Sequence, residues 1–278
     1  NAEAMARLGA IADGFLLHDR DIFIGCDDSV LHPAARGPVQ MRRSRGYVPF
    51  PVRMQRAGPP VLAVGGHLKN TFCLTRGRNA FISQHIGDLE DLQTLEYFER
   101  SIAHFESFLQ VTPAGLACDL HPDFLSTRYA ERLAEERDLP LERVQHHHAH
   151  LAAVLADNHL DGPAIGLICD GTGYGADGTV WGCEVLVGDA AGYERAGHLR
   201  TIRLAGGEAA IKEPWRVAAA WLQEAFGPDF LDALELPFVA RLDRGAWNVL
   251  QGLMARGVRS PLASSAGRLF DAAAALIG

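Results

Sequence analysis

The chain has 278 residues, a formal net charge of -8, 48% apolar and 22% charged residues. That balance supports a sizeable core and one to two domains, excludes a disordered chain, and argues against a duplex nucleic-acid binder, which would be basic. No apolar run approaches the roughly 18 residues of a membrane span, and the five scattered cysteines (Cys26, Cys73, Cys118, Cys169, Cys183) form no C-x-x-C, so they read as reduced thiols of a cytoplasmic protein.

Residues 1–50 read as the tail of one module. Ala2 to Ile11 has a helical pattern, and Phe15-Leu16-Leu17 and Ile22-Phe23-Ile24 are short strand candidates. Pro49, Pro51, Pro59 and Pro60 mark the stretch before residue 61 as a linker, placed at 53–60. A new unit then opens with three short strands, at 61–65, 71–75 and 79–83, joined by turns at Gly66–Asn70 and Arg76-Gly77-Arg78. A helix is expected from about Glu90 to Gln110, because Leu92, Leu95, Phe98, Ile102, Phe105 and Leu109 recur at three and four. Gly115 to Leu120 reads as a buried strand, Pro122 to Asp138 as a helix with proline in its first turn, and Arg143–Gln145 as a short strand. A helix from the histidine run to about Asn158 follows, then strands at Ala164–Cys169 and Thr179–Val187, then helices near 210–226, 237–256 and 266–277. The first residue is Asn1 and the last helix runs into the final residues, so a fragment of a longer protein is expected.

The segment Val144-Gln145-His146-His147-His148-Ala149-His150 carries the first chemistry. On a helix, His146 and His150 share a face. Two imidazoles and one carboxylate make a divalent-metal site, and Asp170, at the end of an apolar run, is the expected third ligand. Histidine pairs are often merely structural, and no glutamate follows the first histidine as in zincins. His147 and His148 point off that face and could support the ligands or touch substrate.

Two glycine turns carry the second. Gly65-Gly66 with Lys69, Asn70 and Thr71 brings bare amides and one cation to a phosphate, or is an ordinary hairpin. Asp170-Gly171-Thr172-Gly173 is its counterpart. Arg43 and Arg45, in Arg42-Arg43-Ser44-Arg45, are candidates for a phosphate or carboxylate clamp, as are Lys212 and Arg216 beside Pro214. The bland alternative for each is an exposed basic residue. Ser264-Ser265-Ala266-Gly267 is a helix start, hence an anion site or a plain cap. Asp119, before Leu120-His121-Pro122, could be a cap, or His121 could reach the cleft; the sequence does not decide.

The element order resembles the ribonuclease-H-like, actin-like ATPases: α/β, with a mixed sheet and flanking helices. Gly65-Gly66-His67-Leu68-Lys69-Asn70-Thr71, Cys118-Asp119-Leu120-His121-Pro122, the histidine run, Asp170-Gly171-Thr172-Gly173-Tyr174-Gly175, Ile211-Lys212-Glu213-Pro214-Trp215-Arg216 and Ser264-Ser265-Ala266-Gly267-Arg268 together resemble the HypF family, the carbamoyltransferases of nickel–iron hydrogenase maturation. The resemblance implies that residues 1–52 end a YrdC-like α/β domain. It implies that 61–278 are the first part of a domain similar to the threonylcarbamoyl-transfer ATPases, truncated at its C-terminus. It implies ATP and a divalent metal, zinc or iron, with magnesium. The implied chemistry passes from carbamoyl phosphate and ATP through carbamoyl-adenylate to the C-terminal cysteine of the partner HypE, where the group later becomes cyanide. His146, His150 and Asp170 would hold the metal, and Gly65, Gly66, Lys69, Asn70, Thr71, Gly171, Thr172 and Gly173 would line the nucleotide. The family's other modules and the remaining metal-ligating acid are missing, so the fragment alone is expected to be inactive. Cys183 stands where the family commonly has glycine. The alternatives are a small-molecule O-carbamoyltransferase, whose two domains come in the opposite order, and a non-catalytic module that binds metal or nucleotide.

Overall fold

The computed structural model describes every residue except Arg36. Residues 1–51 contain α1 (Ala2–Leu8) and a two-stranded ribbon of β1 (Val30–His32) and β2 (Val39–Arg42). None of the described residues before Ser44 is buried, so this segment builds no core of its own. It is tied down through Ser44, whose backbone N–H donates to Ser29 and whose hydroxyl accepts from the His85 backbone N–H.

The first sheet is built from β3 (Val52–Gly58), β4 (Val61–Ala63), β5 (Cys73–Ile82), β6 (Gly115–Asp119) and β7 (Leu141–Val144), in the order β3-β5-β4-β6-β7. β3 and β4 run antiparallel to β5, while β4, β6 and β7 are parallel. The parallel pairs require crossovers, which α2 (Leu92–Leu109) and α3 (Leu125–Arg137) provide. α2 begins where the Asp91 side chain accepts from the Thr94 N–H and ends where Gln110 turns left-handed. Its stripe of Phe98, Ile102, Phe105 and Leu109 is buried on the sheet with Leu62, Leu74 and Leu116. Phe72 meets Phe98 and Phe105 edge-on, at ring-centre distances of 6.1 and 5.0 Å.

Two expectations are corrected here. Residues 53–60 are not a free linker, because most of them form β3 at the edge of the sheet. The segments at 71–75 and 79–83 are not separate strands. Gly77, at φ +59°, stays within β5, which is continuous; the irregularity in the ladder lies on β3, between Arg53 and Gly58, and β3 takes the place expected of a third hairpin strand.

The helix α4 (His146–Asp157) joins this sheet to a second. The second sheet holds β8 (Ala164–Tyr174), β9 (Val180–Gly188), β10 (Tyr193–His198), β11 (Ile202–Arg203) and β12 (Leu262–Ala263). It is ordered β10-β9-β12-β11, with β8 also pairing β9. Leu151 and Leu155 of α4 pack with Trp181 and Leu186 of β9. Between β11 and β12 run α5 (Ala209–Lys212), α6 (Trp215–Phe226), α7 (Phe230–Ala233), α8 (Pro237–Arg241) and α9 (Arg244–Ala255); α10 (Ala266–Ile277) follows β12. Val217, Phe230, Trp247, Met254 and Ala272 share their core. The helix expected at 237–256 divides because Asp243 caps a new start, accepting from the N–H groups of Gly245 and Ala246. The helix expected at 210–226 divides at Pro214, which carries no N–H for a continuing helix. No helix among the described residues is long and apolar enough to cross a membrane.

Candidate metal centre

The first turn of α4 sets the site. Gln145 caps it, accepting from the His148 N–H, and its own amide donates to the Tyr174 carbonyl at 3.1 Å, which fastens the helix start to the glycine segment of β8. With the helix so placed, His146 and His150 present their Nε2 atoms 3.2 Å apart. Asp170 comes from β8 where the ladder with β9 is irregular, between Cys169 and Gly173. Its Oδ2 lies 3.1 Å from His146 Nε2 and 3.8 Å from His150 Nε2. The donor atoms of all three residues lie within 4.8 Å of one another. Ligands about 2.1 Å from one tetrahedral ion stand roughly 3.4 Å apart, and the three separations scatter about that value. The donor set, two imidazoles and a carboxylate, suits zinc or iron.

Behind the site stands Asp119, at the end of β6. It is buried, and its Oδ2 accepts from His146 Nδ1 at 2.7 Å while its Oδ1 accepts from the His121 N–H. That bond keeps the His146 proton on Nδ1 and turns Nε2 toward His150 and Asp170. Hydrogen bonds to Asp119 and then Asp170 raise the His146 pKa to about 9, against burial. Burial pushes Asp170 up, but hydrogen bonds from His146, His150 and the Gly171 N–H outweigh it and leave the carboxyl far below the usual range. Sequence reasoning left Asp119 undecided and missed Gln145; the strand-ending Asp119-Leu120-His121 was the available signal.

The two glycine segments lie on either side; the second, expected as a turn, runs within β8 as an irregular stretch between Cys169 and Gly173. Gly65, Gly66, Asp119, His146 and His150 line one cavity of about 250 Å³. Gly65 has φ +71°, and a Cβ there would stand 2.1 Å from the Thr71 carbonyl oxygen, so only glycine fits. Thr172 and Gly173 line a second cavity of about 420 Å³ with His121, Phe124 and Tyr174. Gly171 is packed instead against Gly267 of α10, and its carbonyl accepts from Ser265. Ser265 also accepts from the Arg268 N–H, so it is a helix cap and a clamp on the turn.

Other expected residues go elsewhere. Asn70 is buried within its loop, donating to the carbonyls of Val64 and Gly66, so it supports the turn and is withdrawn from a ligand. Lys69 is exposed, at φ 49°, and Thr71 is half-buried. Arg43 donates to the carbonyls of Tyr47 and Phe50, and Arg45 to that of Cys26, so both hold the N-terminal segment together and neither forms a clamp in the cleft. Lys212 pairs with Glu208 on the surface, while Arg216 is paired with Glu213 and covered by Gly206. His147 is fully buried beneath Gly173 and near Trp181; His148 donates to the Asp189 carbonyl. Neither reaches the three ligands' meeting point.

Comparison with known proteins gives a consistent picture. The family described as HypF Kae1-like domain matches residues 56–157. The one described as Carbamoyltransferase, Kae1-like Domain, second subdomain, matches 166–278. Carbamoyltransferase HypF2 of Cupriavidus necator is 50% identical over 283 residues, covering 100% of this chain and 34% of that protein. Carbamoyltransferase HypF of Rhizobium leguminosarum bv. viciae is 47% identical, covering 100% and 35%. The chain therefore spans about a third of the length of the curated relatives it matches. A solved structure of full-length HypF in the phosphate- and nucleotide-bound form superposes with a TM-score of 0.92 at 43% identity, over 100% of this chain and 43% of that one.

Proposed function

The chain belongs to the HypF carbamoyltransferase family, and from that premise we propose that the protein carrying it transfers a carbamoyl group during nickel–iron hydrogenase maturation. The group comes from carbamoyl phosphate, is activated with ATP as carbamoyl-adenylate, and passes to the C-terminal cysteine of a HypE-type partner. The observation that carries this reading is the convergence of Asp170 with His146 and His150, which line one cleft with Gly65 and Gly66. Residues 1–52 are assigned to the end of a YrdC-like domain, and the rest, with β3 from Arg53 onward, to the ATPase-like transfer domain.

In this reading His146, His150 and Asp170 hold a divalent metal, zinc or iron. When bound, it supplies positive charge that neutralises phosphate or polarises the carbamoyl carbonyl. The residues of the chain do the remaining work. Asp119 keeps the Nδ1 proton of His146 in place and so leaves Nε2 free as a donor. The Gly65-Gly66 turn exposes backbone without side chains, where a phosphate can approach closely. Gly171, Thr172 and Gly173, in the irregular stretch of β8, are the opposing glycine segment, and magnesium accompanies the nucleotide. Lys69 is close enough in sequence to the first turn to add a cation. The solved HypF named as nucleotide-bound is in keeping with a nucleotide here.

The test is mass spectrometry of a HypE-type protein incubated with the full-length enzyme, ATP and carbamoyl phosphate. A carbamoyl mass gain on the terminal cysteine is expected, dependent on both substrates. An unmodified cysteine under conditions where the enzyme consumes ATP would refute the proposal.

A further inference from the structure

Two of the five cysteines meet. Cys169 of β8 and Cys183 of β9 are register partners in an antiparallel pair, with Sγ atoms 3.5 Å apart. The Cys183 carbonyl accepts from the Leu199 N–H, on the side of β10. In an antiparallel strand a residue's N–H and C=O point the same way, so toward β8 this is a non-hydrogen-bonded pair. Such pairs have Cα atoms about 4.5 Å apart, inside the span of roughly 4.4–6.8 Å that a disulfide bridges. Cys169 is exposed and Cys183 half-buried. Cys26, Cys73 and Cys118 make no such sulfur contact among the described residues.

We propose that Cys169 and Cys183 are a redox-responsive dithiol that closes to a reversible disulfide and, on closing, loosens the neighbouring metal site. A hydroperoxide oxidises the exposed Cys169 thiol to a sulfenic acid, its O–O bond breaking and one oxygen leaving as alcohol or water. The Cys183 sulfur then displaces the sulfenic oxygen as water, so two thiols lose two electrons and two protons and one S–S bond forms. A dithiol reductant reverses it by exchange. Cys169 is the exposed sulfur of the two, so it is the one that meets the oxidant, and Cys183 stands behind it in contact.

The coupling is geometric. Bond formation draws the sulfurs from 3.5 Å to about 2.05 Å. Cys169 is the last paired residue before the irregularity that carries Asp170 out of the ladder. A pull on Cys169 is therefore passed directly to the carboxylate that stands between His146 and His150. This coupling rests on the metal reading above; the disulfide does not.

The experiment treats the full-length protein with hydrogen peroxide, alkylates free thiols, and maps linked peptides by mass spectrometry, with zinc retention measured before and after. A peptide joining Cys169 to Cys183 is expected, absent in Cys183→Ser and reversed by dithiothreitol. Both cysteines recovered alkylated after peroxide would overturn the disulfide. Zinc retention in the oxidised protein is expected to be about tenfold weaker, the low end of what disturbing a ligand's support costs. Retention equal in the two states, including none in either, overturns the coupling and leaves the linked peptide to stand on its own. Zinc held by the reduced protein tests the metal reading separately.

Discussion

Asp119 and His146, 27 residues apart in sequence, are joined by a 2.7 Å hydrogen bond between a buried carboxylate and the ring nitrogen opposite the one that meets His150 and Asp170. The bond orients the ring and fixes which nitrogen is available. Removing the charge behind a ligating histidine weakens metal affinity by about 10- to 100-fold. Asp119→Asn should lose zinc affinity in that range, measured by chelator competition at pH 10, above the pKa of about 9 at which His146 gives up its proton. Its far-UV circular dichroism should match the parent, because the substitution changes charge and hardly changes volume.

The ligands themselves give a sharper effect. Asp170→Asn should weaken metal retention while leaving the fold nearly intact, and His146→Ala with His150→Ala should abolish it. Elemental analysis of the purified variants measures both. Unchanged occupancy in Asp170→Asn would remove Asp170 from the ligand set.

Proton competition predicts the pH dependence. In the metal-free chain His146 stays protonated up to about 9, because Asp119 and Asp170 stabilise its charge. A metal must displace that proton from Nε2, so affinity should rise with pH, by up to about tenfold per unit, and level off above 9. Titrations of zinc against a chelator at a series of pH values measure the slope. A flat profile from pH 6 to 9 would refute the assignment of His146.

Stability responds oppositely to two adjacent histidines. The His146 pKa is raised on folding, so its contribution to the metal-free chain is full below the unfolded value, about 6.5, and is lost as pH rises through 9. The pKa of His147 is lowered to about 4 by burial. The unfolded chain therefore binds the extra proton first, and stability falls as pH drops from about 6.5 through 4. That loss is about 3 kcal/mol. Melting curves at pH 7 and pH 4.5 should show it, and His147→Gln, which cannot charge, should remove much of the acid-side difference.

Close packing limits the turns. A Cβ on Gly173 would lie 2.5 Å from His147 Cε1 and 3.2 Å from His146 Cβ. Gly173→Ala should cost about 1–3 kcal/mol and also weaken zinc binding, because the displaced ring borders His146. Thermal melting and metal competition read the two effects together.

The His146/His150 pair and Asp170 were legible in sequence because helix periodicity and an acid closing an apolar run are local patterns. A period of 3.6 places positions four apart on one face wherever the helix lies. The apolar stripe of α2 and the mixed α/β class were readable on the same ground. The course of residues 53–60 was not. Prolines signal an interruption, but whether the neighbouring residues find a strand edge depends on which edge stands open. Only the sheet shows that β5 runs unbroken past Gly77 and leaves its far edge to β3. Asn70 offers the same lesson: its turn chemistry is visible, its burial is not. The sequence alone determined the inventory of donors and the helix face that presents two of them. The tertiary structure decided which acid stands behind His146, because β6 and the start of α4 become neighbours only through strand pairing between distant segments. Local propensity carries no information about such partners.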